Sequence, residues 1–249
     1  MNILVCISRV PDTATRISVG SDGKSIDQQN VKFIVNPYDE FAIEEALQIK
    51  EKNGGEVSAV TIGSEIAKDV LRTSYAMGVD KAILVKSEEQ PTDSFFVANN
   101  LAEVAKQLNP DLIFLGKQSV DYDSLQVPSA LGELLGLPSI NVVSKLRIEN
   151  GKAIAERDIE GGRETVEATL PCIISCQKGL NEPRYPKLPQ IMKAKSKPIS
   201  EKQPVESSNR VTVSAMEIPM KQRKGTILGS EADDIQRLVN LLHEEAKVI

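Results

Sequence analysis

The strongest constraint on the fold of this chain is the alternation of two sequence patterns across its first ~140 residues. Short apolar runs rich in β-branched residues, which are typical of buried strands, alternate with longer segments whose apolar residues recur at helical spacing. The pattern predicts strands at 3–10, 56–64, 81–87 and 111–118, and helices at 40–53, 66–79, 93–109 and 124–136. Strands and helices that alternate in this way form a parallel sheet with helices on both faces. We therefore predict a Rossmann-like α/β fold.

The pattern changes after Leu137, where alternating runs replace the helices. A turn signal at 149–151 joins two such runs and predicts a small β extension at about 140–177. Residues 181–230 are rich in Pro, Lys and Ser and predict an extended arm. An apolar stripe of helical period then predicts a terminal amphipathic helix at 231–247.

We expect two parts of the chain to behave differently. Residues 1–180 are expected to form one α/β domain that includes the β extension. Residues 181–249 have no apolar core of their own, so we expect the arm and terminal helix to dock onto another chain. The alternative is that this segment packs back onto the first domain.

Composition excludes several classes of function. The formal net charge of −5 argues against a nucleic-acid-binding protein, which usually carries a basic stripe. No apolar run approaches the ~18 residues of a membrane span, so we expect no direct membrane insertion. The first residues lack the pattern of a secretory signal, which predicts a cytoplasmic protein. The single histidine, His243, leaves few ligands for a zinc site, and we predict no metal.

The strongest local signal for a ligand is GKQSVDYDSLQ at 116–126, which follows a predicted strand and enters a predicted helix. Ligands of parallel sheets bind beyond the carboxyl ends of strands. Free N–H groups at the helix start, near Ser124–Val127, favour a phosphate. A loop in which Asp and Ser only cap the helix remains an alternative. A Mg²⁺ pair of Asp121 and Asp123 is a weaker one, because no third carboxylate is in register.

A second candidate contact lies in NPYDEFAIEEA at 36–46, where a turn leads into a helix with acidic residues in its first turn. Simple helix initiation explains this pattern as well as a ligand contact does. The chain has neither a GxGxxG nor a P-loop lysine motif, which weakens dehydrogenase and ATPase hypotheses.

Several segments together resemble the electron transfer flavoprotein β family. They are Val10–Asp12, NPYDEFAIEEA at 36–46, LGKQSVDYDSLQ at 115–126, AERDIEGGRETVEATLPCIIS at 155–175 and LNEPRYPKLPQIMKAKSKPI at 180–199. They occur in family order and span most of the chain, and the last two segments are the most specific. Ser8 and Thr13 depart from the residues that are usual in the family's first loop, which puts direct flavin contacts from that loop in doubt.

The resemblance implies an adenine-nucleotide-binding β subunit in a heterodimer with an α subunit. FAD would lie mainly in the α subunit, and a structural AMP would lie in this one. Electrons would come from dehydrogenases, such as acyl-CoA dehydrogenases, and pass to a membrane quinone oxidoreductase. The implied nucleotide contacts are Cys6, Asn36, Pro37, Tyr38, Asp39, Ile62, Gly116, Gln118, Ser119, Val120, Asp121, Asp123, Ser124, Leu125, Gln126 and Val127.

The resemblance also implies a partner-binding loop at 184–192. Leu188 would be the main anchor for dehydrogenases, because Pro186 and Pro189 restrict the backbone on both sides of it. Inward packing of Leu188 is the alternative. The full set of implied partner contacts is Arg184, Tyr185, Leu188, Pro189, Ile191, Met192 and Asp158.

Two other functions stay open from the sequence. One is an electron-bifurcating, NADH-dependent flavoprotein subunit, in which a second FAD replaces AMP. The other is a nucleotide sensor that acts alone, although a sensor has no need of the specific segment at 180–199.

Overall fold

A computed structural model describes residues 1–87, 93–205, 209–219 and 225–248. The chain divides into two compact units, Met1–Met216 and Glu217–Ile249. The strands are β1 Asn2–Cys6, β2 Arg9–Pro11, β3 Phe33–Val35, β4 Glu56–Gly63, β5 Lys81–Lys86, β6 Leu112–Gly116, β7 Ser139–Glu149, β8 Lys152–Ile159, β9 Gly162–Thr169, β10 Cys172–Cys176 and β11 Ser200–Lys202. The α-helices are α1 Pro37–Asn53, α2 Lys68–Met77, α3 Ser94–Leu108, α4 Val127–Leu135, α5 Leu188–Ala194 and α6 Ala232–Asn240.

The first unit is built around a nine-stranded sheet, counted over the described residues, in the order β11-β5-β4-β1-β6-β10-β7-β8-β9. All neighbours from β11 to β7 run parallel, and only the β7–β8 and β8–β9 pairs are antiparallel. From β1 the chain first builds outward through β4 and β5, and then returns to place β6 on the other side of β1. This reversal of strand order beside β1 fixes where a ligand crevice can open.

Alternate residues of β1 enter two different apolar cores. Ile3 and Val5 pack on the face covered by α1 and α2, whereas Leu4 and Cys6 pack on the face covered by α3 and α4. Successive side chains of a strand point to opposite faces, so a strand covered on both sides must be apolar throughout. The predicted Rossmann-like α/β fold, with helices on both faces, is confirmed.

The β extension is also confirmed. Asn150 and Gly151 both have positive φ, of 51° and 74°, which is the backbone of a tight hairpin turn between β7 and β8. The next segment along the chain adds β9 to the hairpin. β10 then returns to the parallel sheet between β6 and β7.

Two segments differ from the sequence prediction. The predicted strand at 3–10 is two strands, because the chain leaves the large sheet after Ile7 and Arg9–Pro11 pairs with β3 instead. The arm, predicted to be extended, contains α5 and β11. Pro189 lies in the first turn of α5, where proline is tolerated because no helical N–H bond is lost there.

The second unit contains α6, which a π-helical turn at Leu241–Glu245 continues. No residue of α6 is buried, and Ile235, Leu238 and Val239 are 58%, 47% and 44% exposed. The helix therefore carries an apolar stripe that faces water in this chain. No helix in the described ranges is both long and apolar enough to cross a membrane.

Candidate nucleotide-binding crevice

A crevice opens at the carboxyl ends of β1, β4 and β6, where the strand order reverses. It encloses about 850 Å³, including its open mouth, which is within the range of small-molecule sites. Cys6–Arg9, Ile62 and Leu115–Ser119 supply the three strand ends. The residues that continue from the β6 end, up to Pro128, form one wall, and the start of α3 forms another.

Asp39, in the first turn of α1, joins two of these strand ends. Its carboxylate accepts a hydrogen bond of 2.7 Å from the backbone N–H of Ser8 and one of 2.8 Å from that of Gly116. Burial raises the pKa of Asp39 to about 7, the two N–H donors oppose that rise, and Asp121 adds to it. The side chain therefore fixes the spacing of the β1 and β6 ends rather than offering an exposed charge to a ligand.

Gly116 is the residue that allows this close approach. A Cβ at this position would lie 2.5 Å from the Asp39 Oδ1 and 2.6 Å from the Cβ of Tyr38. Both distances are far below van der Waals contact. The crevice geometry therefore requires glycine at the end of β6.

Asn36 supports the wall that follows β6. Its side-chain amide donates to the carbonyl of Gln118 at 2.9 Å and its Oδ1 accepts from the N–H of Val120 at 3.2 Å. The side chain is fully buried, so these bonds are shielded from water. Asn36 thus stabilises the loop through hydrogen bonds on its buried side and does not line the crevice itself.

Two helix N-termini converge on the crevice. α4 begins at Val127, three residues later than the sequence suggests, because Leu125 has a φ of +53° that a right-handed helix cannot include. α3 begins at Ser94, after Asp93 caps it by accepting from the N–H of Phe95 at 2.7 Å. The Ser94 hydroxyl donates to the Ser124 hydroxyl at 3.1 Å. Free N–H groups at the start of α4 favour an anion here, whereas the start of α3 is already capped by the Asp93 carboxylate.

Two cationic side chains line the same crevice. The Arg9 guanidinium bonds Asp69 at 2.9 Å and stacks 3.7 Å over the ring of Phe33. The Lys117 ammonium lies 5.0 Å from the ring centre of Tyr38. Because Asp69 already pairs with Arg9, Lys117 is the cation that adds positive charge beside the backbone donors.

The floor of the crevice is apolar, with Cys6, Ile62, Val97, Leu101 and Leu115 among the lining residues. Burial raises the pKa of the Cys6 thiol, and the nearby Asp39 raises it further, so the thiol stays protonated. A protonated thiol is a small apolar group rather than a nucleophile. The crevice thus combines a floor suited to a flat ring with an end suited to a phosphate.

Comparison with known proteins identifies the family. The electron transfer flavoprotein domain matches residues 24–207. The chain is 42% identical to the electron transfer flavoprotein subunit beta of Bacillus subtilis, over all of both chains. It is 40% identical to the mitochondrial subunit beta of Arabidopsis thaliana, over 98% of this chain and 99% of the relative. It is 35% identical to the electron transfer flavoprotein subunit beta of Mus musculus, over 96% of both chains.

The chain belongs to the electron transfer flavoprotein β-subunit family. The family consists of electron carriers, and the resemblance of the five sequence segments is confirmed. Because whole relatives align from end to end, the arm and the terminal helix fall within the matched length.

Most of the contacts that the flavoprotein resemblance implies line the crevice. These are Cys6, Asp39, Ile62, Gly116, Gln118, Ser119, Asp121, Ser124, Leu125, Gln126 and Val127. The others, Asn36, Pro37, Tyr38, Val120 and Asp123, are not among the lining residues. The side-chain amide of Gln118 donates a hydrogen bond to the carboxylate of Asp123. In the described ranges, no cluster of three or more His, Cys, Asp or Glu side chains is suited to bind a metal.

Six polar residues that line the crevice were not assigned as nucleotide contacts from the sequence: Ser8, Arg9, Asp93, Ser94, Lys117 and Tyr122. The Asp-Ser pair at 93–94, at a helix start, carried a usable signal, because parallel strands place every such start at one sheet edge. Lys117 lies within the GKQS motif, but no feature of the motif assigned it a contact with the ligand.

In this flavoprotein β chain the partner-binding loop expected at 184–192 is partly exposed. Tyr185, Leu188 and Met192 are 95%, 72% and 58% exposed, so Leu188 does not pack inward in this structure. Arg184 instead bonds Glu44 and Glu51 of α1. Asp158 pairs with Arg163 at 2.9 Å on the β extension.

Proposed function

We propose that this chain pairs with an electron transfer flavoprotein α subunit and works as the β half of a heterodimeric electron carrier. The observation that carries the proposal is the end-to-end match to proteins named as subunit beta. Bound FAD, held mainly by the α subunit, supplies the redox chemistry. Electrons enter from dehydrogenases, such as acyl-CoA dehydrogenases, and leave to a membrane quinone oxidoreductase. A cytoplasmic location stays a prediction, since some relatives are named mitochondrial.

The crevice is proposed to hold one AMP. Its phosphate suits the start of α4 with the Ser94 and Ser124 hydroxyls, and its adenine suits the apolar floor beside Cys6 and Ile62. AMP has no redox chemistry. It stabilises the native state because it binds the folded protein and not the unfolded chain.

A second FAD in place of AMP is the competing proposal, with electron bifurcation from NADH as its consequence. Lys117 favours it, because its ammonium adds a cation beside the helix start that can balance a second phosphate. The two proposals share the same walls and differ in which nucleotide is bound.

Of the segment 181–249, residues up to Met216 belong to the first unit and supply β11 of its sheet, which favours packing back over docking for that part. The unit Glu217–Ile249 is proposed to dock onto the α subunit, and the exposed loop at 184–192 is proposed to meet dehydrogenases. The apolar stripe of α6 supports the docking, since covering apolar surface contributes about 25 cal/mol per Å². Leu188, Met192 and Tyr185 support the meeting with dehydrogenases, because exposed apolar side chains serve as anchors in protein interfaces.

One experiment tests these proposals together. The chain is co-expressed with its α partner, the complex is sized by light scattering, and the bound nucleotides are extracted with acid. A 1:1 heterodimer with one AMP and one FAD is expected. Two FAD without AMP would replace the AMP proposal with the bifurcating one, and a stable monomer with no affinity for an α subunit would overturn the heterodimer.

A further inference from the structure

The exposed loop at 185–193 lies between two attachments to the helices of the first unit. Its short helix, α5, buries only Ala194, while Leu188 and Met192 face water. A seven-residue helix has little stability of its own. Its conformation must therefore be set by what holds its ends.

The upstream end is held by Arg184. Its Nε donates to the Glu44 Oε2 at 2.7 Å, its Nη2 donates to the Glu44 Oε1 at 3.0 Å, and its backbone N–H also donates to Glu44, at 3.2 Å. Glu51 accepts from Nη1 at 2.6 Å. A bidentate fork of this kind fixes direction as well as distance. We name Arg184, Glu44 and Glu51 the α1 clamp.

Burial of Glu44 makes the α1 clamp more than a surface ion pair. The Glu44 side chain is 5% exposed, and the Arg184 side chain is 33% exposed. Burial alone would raise the pKa of Glu44, but the bonds from Arg184 and Gln48 hold that pKa below its usual value. An ion pair taken out of water contributes little net stability compared with an apolar pair of similar volume. The clamp is thus better suited to fixing a geometry than to stabilising the fold.

The downstream end is held by α2. Arg72 donates to the carbonyl of Ala194 at 2.8 Å and also to that of Lys197. The Lys197 ammonium donates to the carbonyl of Val79 at 3.1 Å, and the Tyr75 hydroxyl donates to that of Pro198. Both ends of the loop are therefore tied by hydrogen bonds to the first unit.

We propose that Arg184 is a positioning residue, which presets the conformation in which Leu188 and its neighbours are presented to a dehydrogenase. This role rests on the proposed function of the loop, and it differs from the direct partner contact that the sequence suggested for Arg184. A loop that already holds its binding conformation loses less entropy when it binds. The contribution of Arg184 is therefore to the affinity for the partner. Electron transfer inside the complex is left unchanged.

The test uses the whole heterodimer with its FAD and an acyl-CoA dehydrogenase reduced by its substrate. Arg184→Gln removes the fork, and Arg147→Gln removes the same charge from an exposed site on β7. Arg184→Gln should raise the KM for the flavoprotein about tenfold with little change in kcat, and Arg147→Gln should leave both near the parent. Amide exchange in 188–194 should become faster in Arg184→Gln, while exchange in β1 stays unchanged.

A double-variant cycle separates positioning from a general structural effect. If Arg184 acts through Leu188, Arg184→Gln adds little to the KM of Leu188→Ala. Two results would overturn the positioning role. One is an additive effect of the two substitutions on KM. The other is an Arg184→Gln variant whose KM and amide exchange match those of the parent although Leu188→Ala raises KM. An unchanged KM in Leu188→Ala would instead overturn the docking role of the loop, and a positioning role for Arg184 would fall with it.

Discussion

Gly116 and Asp39 join the ends of β1 and β6 by contacts that few residue pairs could make. The carboxylate of Asp39 spans the backbone N–H groups of Ser8 and Gly116, and only a glycine lets the backbone of β6 come so near. Each residue depends on the other. The crevice is therefore most sensitive to small changes at these two positions.

Gly116→Ala should destabilise the protein and distort the crevice. The new methyl group would meet Asp39 and backbone atoms of Tyr38, and overpacking of this kind costs about 1–3 kcal/mol or more. We expect a melting temperature several degrees lower and a loss of bound nucleotide. Gly162→Ala is the matched control, because nothing lies within 4 Å of its Cβ position. Equal melting temperatures for the two variants would contradict the packing argument.

Asp39→Asn should change how stability depends on pH. The folded protein binds the Asp39 proton more tightly than the unfolded chain, because burial raises the pKa from 3.8 to about 7. The stabilising contribution of that proton is complete below about pH 4 and is lost as pH rises through about 7. Asp39→Asn removes the ionisable group at this position. The difference in melting temperature between the parent and the variant should therefore become smaller as pH rises from about 5 to about 8.

The control for this titration is Glu103→Gln, which removes the half-buried carboxylate on α3 that pairs with Lys106. Its difference in melting temperature from the parent should stay nearly constant over the same pH range. A constant difference for Asp39→Asn as well would show that another group carries the pH dependence.

At the scale of elements, the starts of both α3 and α4 lie at the crevice, whereas the sequence predicted only one helix start there. The Ser94–Ser124 hydrogen bond joins the segments in front of them. The Asp93 carboxylate caps α3, so the unsatisfied N–H groups that favour an anion are those of α4.

Ser124→Asp should expel the nucleotide. The new carboxylate would lie beside the start of α4, where it would satisfy the free N–H groups and repel a phosphate. We expect the AMP extracted per FAD to fall to about a tenth or less, whereas Ser124→Ala, which removes only the hydroxyl, should keep most of it. Full AMP content in Ser124→Asp would place the phosphate elsewhere.

The sequence predicts the elements of this protein better than their ends. β1, β4, β5 and β6 follow from local apolar runs, and β-α alternation fixes their parallel arrangement. The start of α4 could not be predicted, because Ser124 is a good capping residue and only the backbone at Leu125 excludes it from the helix. α5 was missed because a Pro- and Lys-rich segment resembles an extended arm.

The site could be predicted only where its residues are close in sequence. The loop at 116–127 is continuous and carries its own signal, and most of it lines the crevice. Arg9 and Ser94 reach the crevice from separate elements, and sequence order does not show that they meet. The family resemblance supplied Cys6 and Ile62, which periodicity alone presents as ordinary core residues.

At the scale of the whole molecule, the division at Met216 leaves the second unit with an apolar stripe and without a buried helix residue. Leu238→Asp would place a charge in that stripe and should weaken the heterodimer, since the charge loses its hydration when the stripe is covered. Gel filtration at several concentrations should show dissociation at higher concentration than in the parent. Asn240→Asp, which adds the same charge on the side of α6 away from the stripe, is the control, and equal dissociation of both variants would contradict docking through the stripe.

The position of β10 has a consequence for synthesis of the chain. β10 fills the gap between β6 and β7, although it follows both of them in sequence by many residues. A nascent chain released only as far as Pro171 therefore presents the unpaired edges of β6 and β7 to its surroundings, and such edges invite pairing with other chains. The sheet can be completed only after Cys172–Cys176 has been synthesised. Until then the incomplete chain exposes strand edges and is a suitable substrate for chaperones.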